Sequence, residues 1–175
     1  MILYSDPNNS RSIEFSPAHQ EQCLLVYFGA IFTAHMPLQG RFHLAFATTD
    51  LKRIKAFYGK FLGCREGRSA ETWVDFDFFG HQLTIQEVPK LIKTSRIYNP
   101  KSHIPSDHWG IVLSLADLRK MRDKLKKVGY PFFIEPTVVM KGEIGEQRSM
   151  FIEDPDGHAI EFKSFANEED LFRTE

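Results

Sequence analysis

The sequence is short of cysteine, of net charge and of long apolar runs, and each shortage excludes a class of protein. Its two cysteines, Cys23 and Cys64, stand in no zinc-ligand spacing and are too few for a disulfide framework. A formal net charge of −1 gives no general attraction for nucleic acid or an anionic membrane. The longest apolar run, residues 23–34, is too short to span a bilayer. We therefore expect a small-molecule partner, with no nucleic acid and no membrane.

Residues 1–40 differ from the rest of the chain. They combine turn-forming residues with the apolar run and show no regular helical or strand period. The stretch before the run is not basic, which argues against a cleaved signal. We interpret residues 1–40 as an extension outside the main fold; the alternative is a helix that packs on the domain or on a partner. The predicted location is cytoplasmic, or an organelle if the extension is a targeting segment.

From residue 41 onwards the chain contains one pattern of elements twice. The first copy, residues 41–88, has a strand, then a helix that Asp50 caps and Gly63 ends, and then two strand-like segments. The second copy, residues 106–166, has a strand, a helix with Asp117 as its expected cap, and three strand-like segments. Chance likeness is the alternative, but the similar helix lengths and the final-strand motifs GHQLTI and GHAIEF make it the weaker account.

Two further segments complete the domain organisation. Residues 89–105 contain three prolines and no sustained period, so they are predicted to link the copies. Residues 167–175 form a C-terminal tail. The repeated order of strand, helix and strands predicts an α+β fold, with residues 41–88 as the first module and residues 106–166 as the second.

Strand alternation places three metal-competent side chains on one predicted face. His43 and His108 alternate with large apolar residues and share their face with small ones. Glu161 lies between two apolar residues, where an unpaired carboxylate would be costly. Two imidazoles and one carboxylate are a ligand set for zinc or, with open positions, for non-haem iron. The alternatives are an ordinary hydrogen-bonded histidine in each strand and a simple ion pair between Glu161 and Lys163.

Other polar and aromatic residues share the predicted cavity face. Asp75 and Asp77 alternate with apolar residues, and the alternative for this acidic pair is a strand edge in water. Arg68, Lys141 and Arg148 are candidates to hold an anionic substrate, although exposed basic residues are the commoner case. The residues expected to line a substrate pocket are Trp73, Asp75, Asp77, Gln82, Thr84, Gln147, Ser149, Phe151 and Lys163.

The sequence resembles the vicinal-oxygen-chelate superfamily of glyoxalases, extradiol dioxygenases and bleomycin- or fosfomycin-resistance proteins. The resemblance covers residues 41–166 and depends on the motifs FHLAF, DLKRIKAFYGKFLG, DHWGIVL and EDPDGHAIEFKSF. The segments GRSAETWVDFDFFGHQ and IEPTVVMKGEIGEQRSMF are similar to a group described as predicted extradiol-dioxygenase relatives. The resemblance implies a glyoxalase-like fold, in which two βαβββ modules form a curved mixed sheet around a metal cavity, with His43, His108 and Glu161 as ligands.

The same resemblance limits the chemistry that we expect. Glyoxalase I relatives carry a second carboxylate where alignment of the two copies places Thr84, which is a poor ligand and no base. Extradiol dioxygenases have an acid–base histidine and a tyrosine ten residues before the glutamate, and here the tyrosine position is Phe151. His81 and His103 are the candidates for the catalytic histidine. The alternative for both is an ordinary turn or loop residue.

The leading hypothesis is a metal-dependent, extradiol-dioxygenase-like enzyme that acts on a small substrate with adjacent oxygens. We expect one divalent cation per chain, with Fe(II) favoured over Mn, Zn or Ni. A non-catalytic binding protein of the resistance type and a transferase, lyase or isomerase of the same fold are the alternatives. The sequence leaves open whether the modules pair within one chain or between the two chains of a homodimer.

Overall fold

Among the residues that the structure describes, eight strands in two sheets follow the twofold repeat of the sequence. The computed structural model describes residues 40–91 and 96–173. The first sheet has the order β1-β4-β3-β2 and consists of β1 (His43–Thr48), β2 (Arg65–Ala70), β3 (Trp73–Phe78) and β4 (His81–Glu87). The second has the order β5-β8-β7-β6 and consists of β5 (His108–Val112), β6 (Ile134–Val139), β7 (Gln147–Glu153) and β8 (Ala159–Phe165). Each first strand is parallel to the last strand of its module, and the other pairs are antiparallel. The predicted pair of βαβββ modules with mixed sheets is confirmed.

The helix α1 of the first module begins where the sequence predicts. The Asp50 carboxylate accepts a hydrogen bond from the Arg53 N–H, and the α-helix covers Leu51–Lys55. The chain continues through π-helical turns, Ala56–Leu62. It ends at Gly63, whose φ of 87° lies in the left-handed region that glycine adopts without strain.

The helix α2 of the second module, Leu115–Lys127, begins earlier than predicted. Asp117 is not its cap; Ser114 is, because the Ser114 hydroxyl oxygen accepts a hydrogen bond from the Asp117 N–H. The Asp117 carboxylate in turn accepts a hydrogen bond from the Ser114 hydroxyl at 2.8 Å. Asp117 therefore lies in the first turn of the helix. The helix dipole favours a negative charge there, just as it favours one at the predicted cap position.

Strand β2 was not located from the residue pattern, although the βαβββ modules that the resemblance implies include a strand between the helix and β3. All six of its residues are exposed, so they show no alternation of apolar and polar side chains. Its pairing with β3 is irregular between Glu66 and Ser69, as is common on an edge strand. This strand is held in the sheet by its backbone hydrogen bonds to β3, without a contribution from side-chain burial.

One apolar core joins the two modules. Across the module boundary, Phe46 and Phe78 contact Trp109 at ring-centroid distances of 5.8 and 4.9 Å. Each sheet turns one face to this core, so its other face points away from the core. Both helices and both sheets contribute buried side chains to it, among them Tyr58, Phe76, Leu83, Leu125, Met150 and Phe162.

A hydrogen-bonded network at the turn between β7 and β8 adds polar contacts between the modules. Tyr58 Oη donates to Asp154 Oδ2 at 2.8 Å, and His158 Nδ1 lies 2.9 Å from the same oxygen. Thr48 Oγ1 donates to the Asp156 carboxylate at 2.6 Å. The DPDG turn of the second module therefore contacts both the first strand and the helix of the first.

Burial and charge set the pKa values in this network. Burial, reinforced by the Asp154 charge, raises the pKa of Tyr58 well above its usual value, so its hydroxyl remains a donor. Burial alone would raise the pKa of Asp154, but the hydrogen bond and charge of His158 lower it. Burial alone would lower the pKa of His158, but Asp154 raises it above 6.5. The network therefore favours a charged Asp154–His158 pair.

The described ranges contain no helix that is long and apolar enough to cross a membrane. The apolar run at residues 23–34 and the rest of the predicted extension up to residue 39 lie outside the described residues. The segment predicted as a tail contains a short 3₁₀ helix, Glu168–Phe172.

Candidate metal centre

His108 and Glu161 lie together in the second module. The parallel pairing of β5 with β8 places His108 opposite Ala159 and Gly110 opposite Glu161, on one face of the sheet. His108 Nε2 lies 3.5 Å from Glu161 Oε2. The structure thus brings these two predicted ligands to one place.

The backbone of the preceding loop orients the His108 ring. His108 Nδ1 lies 2.5 Å from the Pro105 carbonyl oxygen, which can only accept, so Nδ1 carries the proton. In this tautomer Nε2 carries a lone pair and faces the Glu161 carboxylate. Two acceptors at this distance require a cation or a proton between them. A carbonyl that holds the far ring N–H is the usual arrangement of a histidine metal ligand.

Two further neighbours hold Glu161. Ser149 Oγ donates to Glu161 Oε1 at 2.6 Å, and Lys163 Nζ lies 3.0 Å from Oε2. Glu161 is only 7% exposed, so its charge depends on these partners. The ion pair with Lys163 considered from the sequence is present, but it lies beside His108, and a metal would compete with the ammonium for Oε2.

Gly110 is required by the close approach of β5 to β8. A Cβ atom on Gly110 would lie 1.8 Å from the carbonyl oxygen of Glu161, which is far inside atomic contact. Any other residue would displace the backbone that carries Glu161. Gly110 is one of the small residues that share the His108 face, and in the structure it gives clearance for the neighbouring strand.

His43 lies in the other sheet. It is exposed, opposite Gln82 of β4, on the face that points away from the core. Across residues 40–91 and 96–173, no three His, Cys, Asp or Glu side chains are grouped closely enough to hold a metal ion. One chain therefore brings two of the three predicted ligands together but not the third. The shared core explains this, because the faces that carry His43 and His108 both point away from it.

Asp75 is the centre of a polar cluster on the His43 face of the first sheet. Its carboxylate accepts hydrogen bonds from Thr84 Oγ1 at 2.6 Å, Gln82 Nε2 at 3.1 Å and the Arg68 guanidinium at 3.0 Å. Burial alone would raise the pKa of Asp75, but these hydrogen bonds, led by that from Thr84, lower it. Asp75 is therefore a buried, ionised carboxylate on this face.

A depression of about 240 Å³ lies beside this cluster. The Gly80 N–H donates to Asp77 at 2.7 Å and Arg65 pairs with it, and both interactions lower the pKa of Asp77. Trp73 shares the face, and the Arg68 guanidinium lies 5.9 Å from its ring centroid. The acidic residues are thus paired with arginines of the exposed strand β2.

Two predicted pocket residues lie on the face of β7 that also carries Glu161's partner Ser149. Phe151 is opposite Glu161, is 1% exposed and contacts the His108 ring edge-to-face at 5.2 Å. Gln147 has a buried side-chain oxygen with no hydrogen-bond partner in the part of the chain that the structure describes. The face around Glu161 therefore combines an apolar ring with an unused acceptor.

The two candidate catalytic histidines lie elsewhere. Strand alternation places His81 on the opposite face of β4 from Gln82, and His81 Nδ1 accepts a hydrogen bond from the Phe42 N–H at 3.1 Å. His103 is exposed in a loop with a φ of 55°, and its N–H donates to the Asn99 carbonyl at 2.9 Å. The alternative interpretation, ordinary turn and loop residues, fits both positions.

Comparison with known proteins relates most of the described chain to one family. Residues 40–162 match the family described as the Glyoxalase/Bleomycin resistance protein/Dioxygenase superfamily. The chain belongs to this superfamily. Its members typically bind a divalent metal. The fixed tautomer of His108 and the carboxylate beside its free nitrogen are what such a site requires.

Three similar proteins each match most of the chain. Metallothiol transferase FosB of Lysinibacillus sphaericus (strain C3-41) is 28% identical over 130 residues, which are 73% of this chain and 83% of FosB. A glyoxalase/bleomycin resistance protein/dioxygenase structure from Alicyclobacillus acidocaldarius matches with a TM-score of 0.65 and 26% identity, over 78% of this chain and 100% of that one. The fosfomycin resistance protein FosX of Listeria monocytogenes has a TM-score of 0.56 and 21% identity, over 77% and 99%, and shows the fold alone.

Proposed function

We propose that the chain is a subunit of a metal-dependent enzyme, in which His108 and Glu161 of one copy and His43 of a second copy hold one divalent cation. The supporting observation is the pair of acceptors, His108 Nε2 and Glu161 Oε2, held 3.5 Å apart. The Pro105 carbonyl fixes the tautomer that leaves Nε2 free. A cation is the simplest group that satisfies both acceptors.

Exposed His43 and the shared core indicate a second copy. His43 and His108 are each the first residue of the first strand of a module, and each of these strands is parallel to the last strand of its module. The two faces therefore correspond to one another in the repeat. Within one chain the core lies between the modules, so these faces cannot meet there. Two copies can pair them, and symmetry then gives two equivalent sites.

The residues around the proposed cation site have different roles in this proposal. His108 and Glu161 hold the cation, while Pro105 and Ser149 fix their orientation. When bound, the cation would supply Lewis-acid polarisation of a substrate oxygen. Lys163, whose side chain is 28% exposed, supplies a positive charge for an anionic group of the substrate.

The reaction that we propose is addition of a thiol or of water to an electrophilic carbon of a small, oxygen-rich anion. The new carbon–sulfur or carbon–oxygen bond forms while an existing carbon–oxygen bond of that carbon breaks, and the released oxygen takes up the proton of the thiol or water. The relative FosB is a metallothiol transferase, and it aligns with 73% of this chain. Lys163 beside Glu161 suits an anionic substrate. Ring cleavage has less support, because Phe151 supplies no hydroxyl, His81 lies in the other sheet from Glu161, and His103 is exposed in a loop.

Dioxygenase-type chemistry is the second candidate. Two histidines and one carboxylate are the ligand set of non-haem Fe(II) oxygenases. The second candidate requires Fe(II), whereas Mn, Zn or Ni are equally compatible with the first.

Metal analysis tests the proposed site. Protein purified without oxygen should contain about one divalent cation per chain. Glu161→Gln and His43→Gln should each lose it, while the matched controls Glu66→Gln and His103→Gln keep it. Wild-type protein that remains metal-free after reconstitution would contradict the proposal.

A substrate screen then separates the candidate reactions. The loaded protein is incubated with fosfomycin, the compound for which the relative FosX is named, together with a thiol or with water alone. It is incubated separately with catechol under measured oxygen. A thiol adduct or hydrolysis product supports the first candidate, and oxygen consumption supports the second. Tight binding without turnover, indifferent to chelator, would identify a non-catalytic binding protein.

A further inference from the structure

A second cavity lies on the side of the second sheet opposite to Glu161. It measures about 260 Å³ and is formed by α2 together with β6 and β7. Its lining, within the described residues, contains no carboxylate. It combines apolar side chains with three arginines, and the members that matter are Leu118, Pro136, Met150, Arg119, Arg122 and Arg148.

Arg148 occupies a position where the strand otherwise buries apolar residues. Met150 and Ile152 are 1% and 0% exposed and share its face of β7, towards α2. No hydrogen bond or ion pair to the Arg148 guanidinium is present among the described residues. A half-buried guanidinium without a partner is unfavourable beside a core, and a bound anion would compensate it.

Helix α2 supplies the other two guanidinium groups. Arg119 and Arg122 are three positions apart and so lie on the same side of the helix. Arg122 pairs with Asp123 at 2.8 Å. Arg119, like Arg148, has no partner within residues 40–91 and 96–173. Two guanidinium groups of this cavity are therefore available to an anion.

We propose that this cavity binds a small amphipathic carboxylate, with its head between Arg119 and Arg148 and its apolar body against Leu118 and Met150. Planar guanidinium groups bind carboxylates through two parallel N–H donors. The volume lies just below the roughly 300–1,000 Å³ of pockets for drug-sized ligands, so the ligand is the size of a medium-chain fatty acid. The arginines of this site and the proposed metal ligands lie on opposite faces of the second sheet, and Ser149 of β7 is the one residue that both lines the cavity and contacts Glu161 among the described residues.

Calorimetric titration of the full-length protein with octanoate tests the proposal. One octanoate per chain should bind, at least about tenfold more tightly than 1-octanol, which has the same body without charge, or inorganic phosphate, which has charge without the body. Octanol that binds equally well would show apolar contact alone. Phosphate that binds equally well would show a simple anion site. Either result would overturn the proposal.

Charge-removing variants locate the binding. Arg148→Gln should weaken octanoate binding roughly tenfold. Lys127→Gln, which removes a positive charge from the same helix away from the cavity, should change it by less than about twofold. Glu161→Gln should leave it unchanged. Equal losses in Arg148→Gln and Lys127→Gln, or loss in Glu161→Gln, would contradict the site.

A cavity-filling variant provides a second test of the site in case Arg148→Gln does not fold. The Arg148 side chain is partly buried, so its replacement can disturb the fold. Thermal denaturation therefore checks first whether Arg148→Gln is folded. If it is not, Leu115→Trp, at the rim of the cavity, should abolish octanoate binding in a folded protein. Undiminished binding in folded Leu115→Trp would overturn the proposal.

Discussion

Replacing Tyr58 by phenylalanine removes a hydroxyl that donates to Asp154 across the boundary between the modules. Tyr58 is 0% and Asp154 4% exposed, so water cannot easily take the place of the lost donor. The acceptor is ionised, because the pKa of Asp154 is lowered. A hydrogen bond to a charged group contributes about 1.5–3 kcal/mol net, and we expect Tyr58→Phe to lower the free energy of unfolding by that amount.

For a unit of roughly 135 residues, this loss lowers Tm by about 5–10 °C. Thermal and urea denaturation at pH 7 measure it. Tyr130→Phe is the matched control, because Tyr130 Oη donates to the neutral Glu153 carbonyl at 2.7 Å. That bond should contribute only about 0.5–1.5 kcal/mol. Equal losses in the two variants would refute a charged acceptor at Asp154.

Three further predictions concern the same network and the proposed site. Because the pKa of His158 is raised above 6.5, its pairing with Asp154 stabilises the fold fully below about pH 6.5 and is lost as pH rises through the raised value. Urea unfolding of wild type and His158→Gln should therefore converge towards high pH, and parallel curves would count against the pairing. Gly110→Ala should lower both Tm and metal content, because its Cβ would meet the Glu161 carbonyl; unchanged values would show that the strands can separate freely. Lys163→Gln should raise metal affinity by up to about tenfold, measured against a competing chelator, and a decrease would show that the ammonium supports the site.

The strand faces could be predicted from the sequence because one face of each sheet is buried in the common core. Leu44 and Phe46 pack on that core while His43 points the other way. Val74 is fully buried on the core side of β3, and Asp75 faces the opposite side. Because buried positions carry apolar residues, strand alternation is visible in the sequence. Strand β2 shows no such alternation, because its residues are all exposed.

The candidate site could be predicted only in part. Side-chain chemistry and alternation indicate His108 and Glu161, but the carbonyl of Pro105 could not be found in this way. Every residue has a carbonyl, and only the path of the loop brings this one to the His108 ring. The surface that packs against His43 could not be predicted either. Strand alternation determines on which face of its own sheet a residue lies, but not which other surface contacts that face.

Subunit complementation measures most directly whether two chains share the metal site. His43→Ala and Glu161→Ala chains carry different tags, are produced together, and the species with both tags is isolated and its metal content measured. We predict that neither variant alone holds metal. The mixed species should hold about one cation per pair of chains, because the intact His108 and Glu161 of one chain meet the intact His43 of the other. A metal-free mixed species, or a wild-type monomer that binds its full complement of metal, would contradict a shared site.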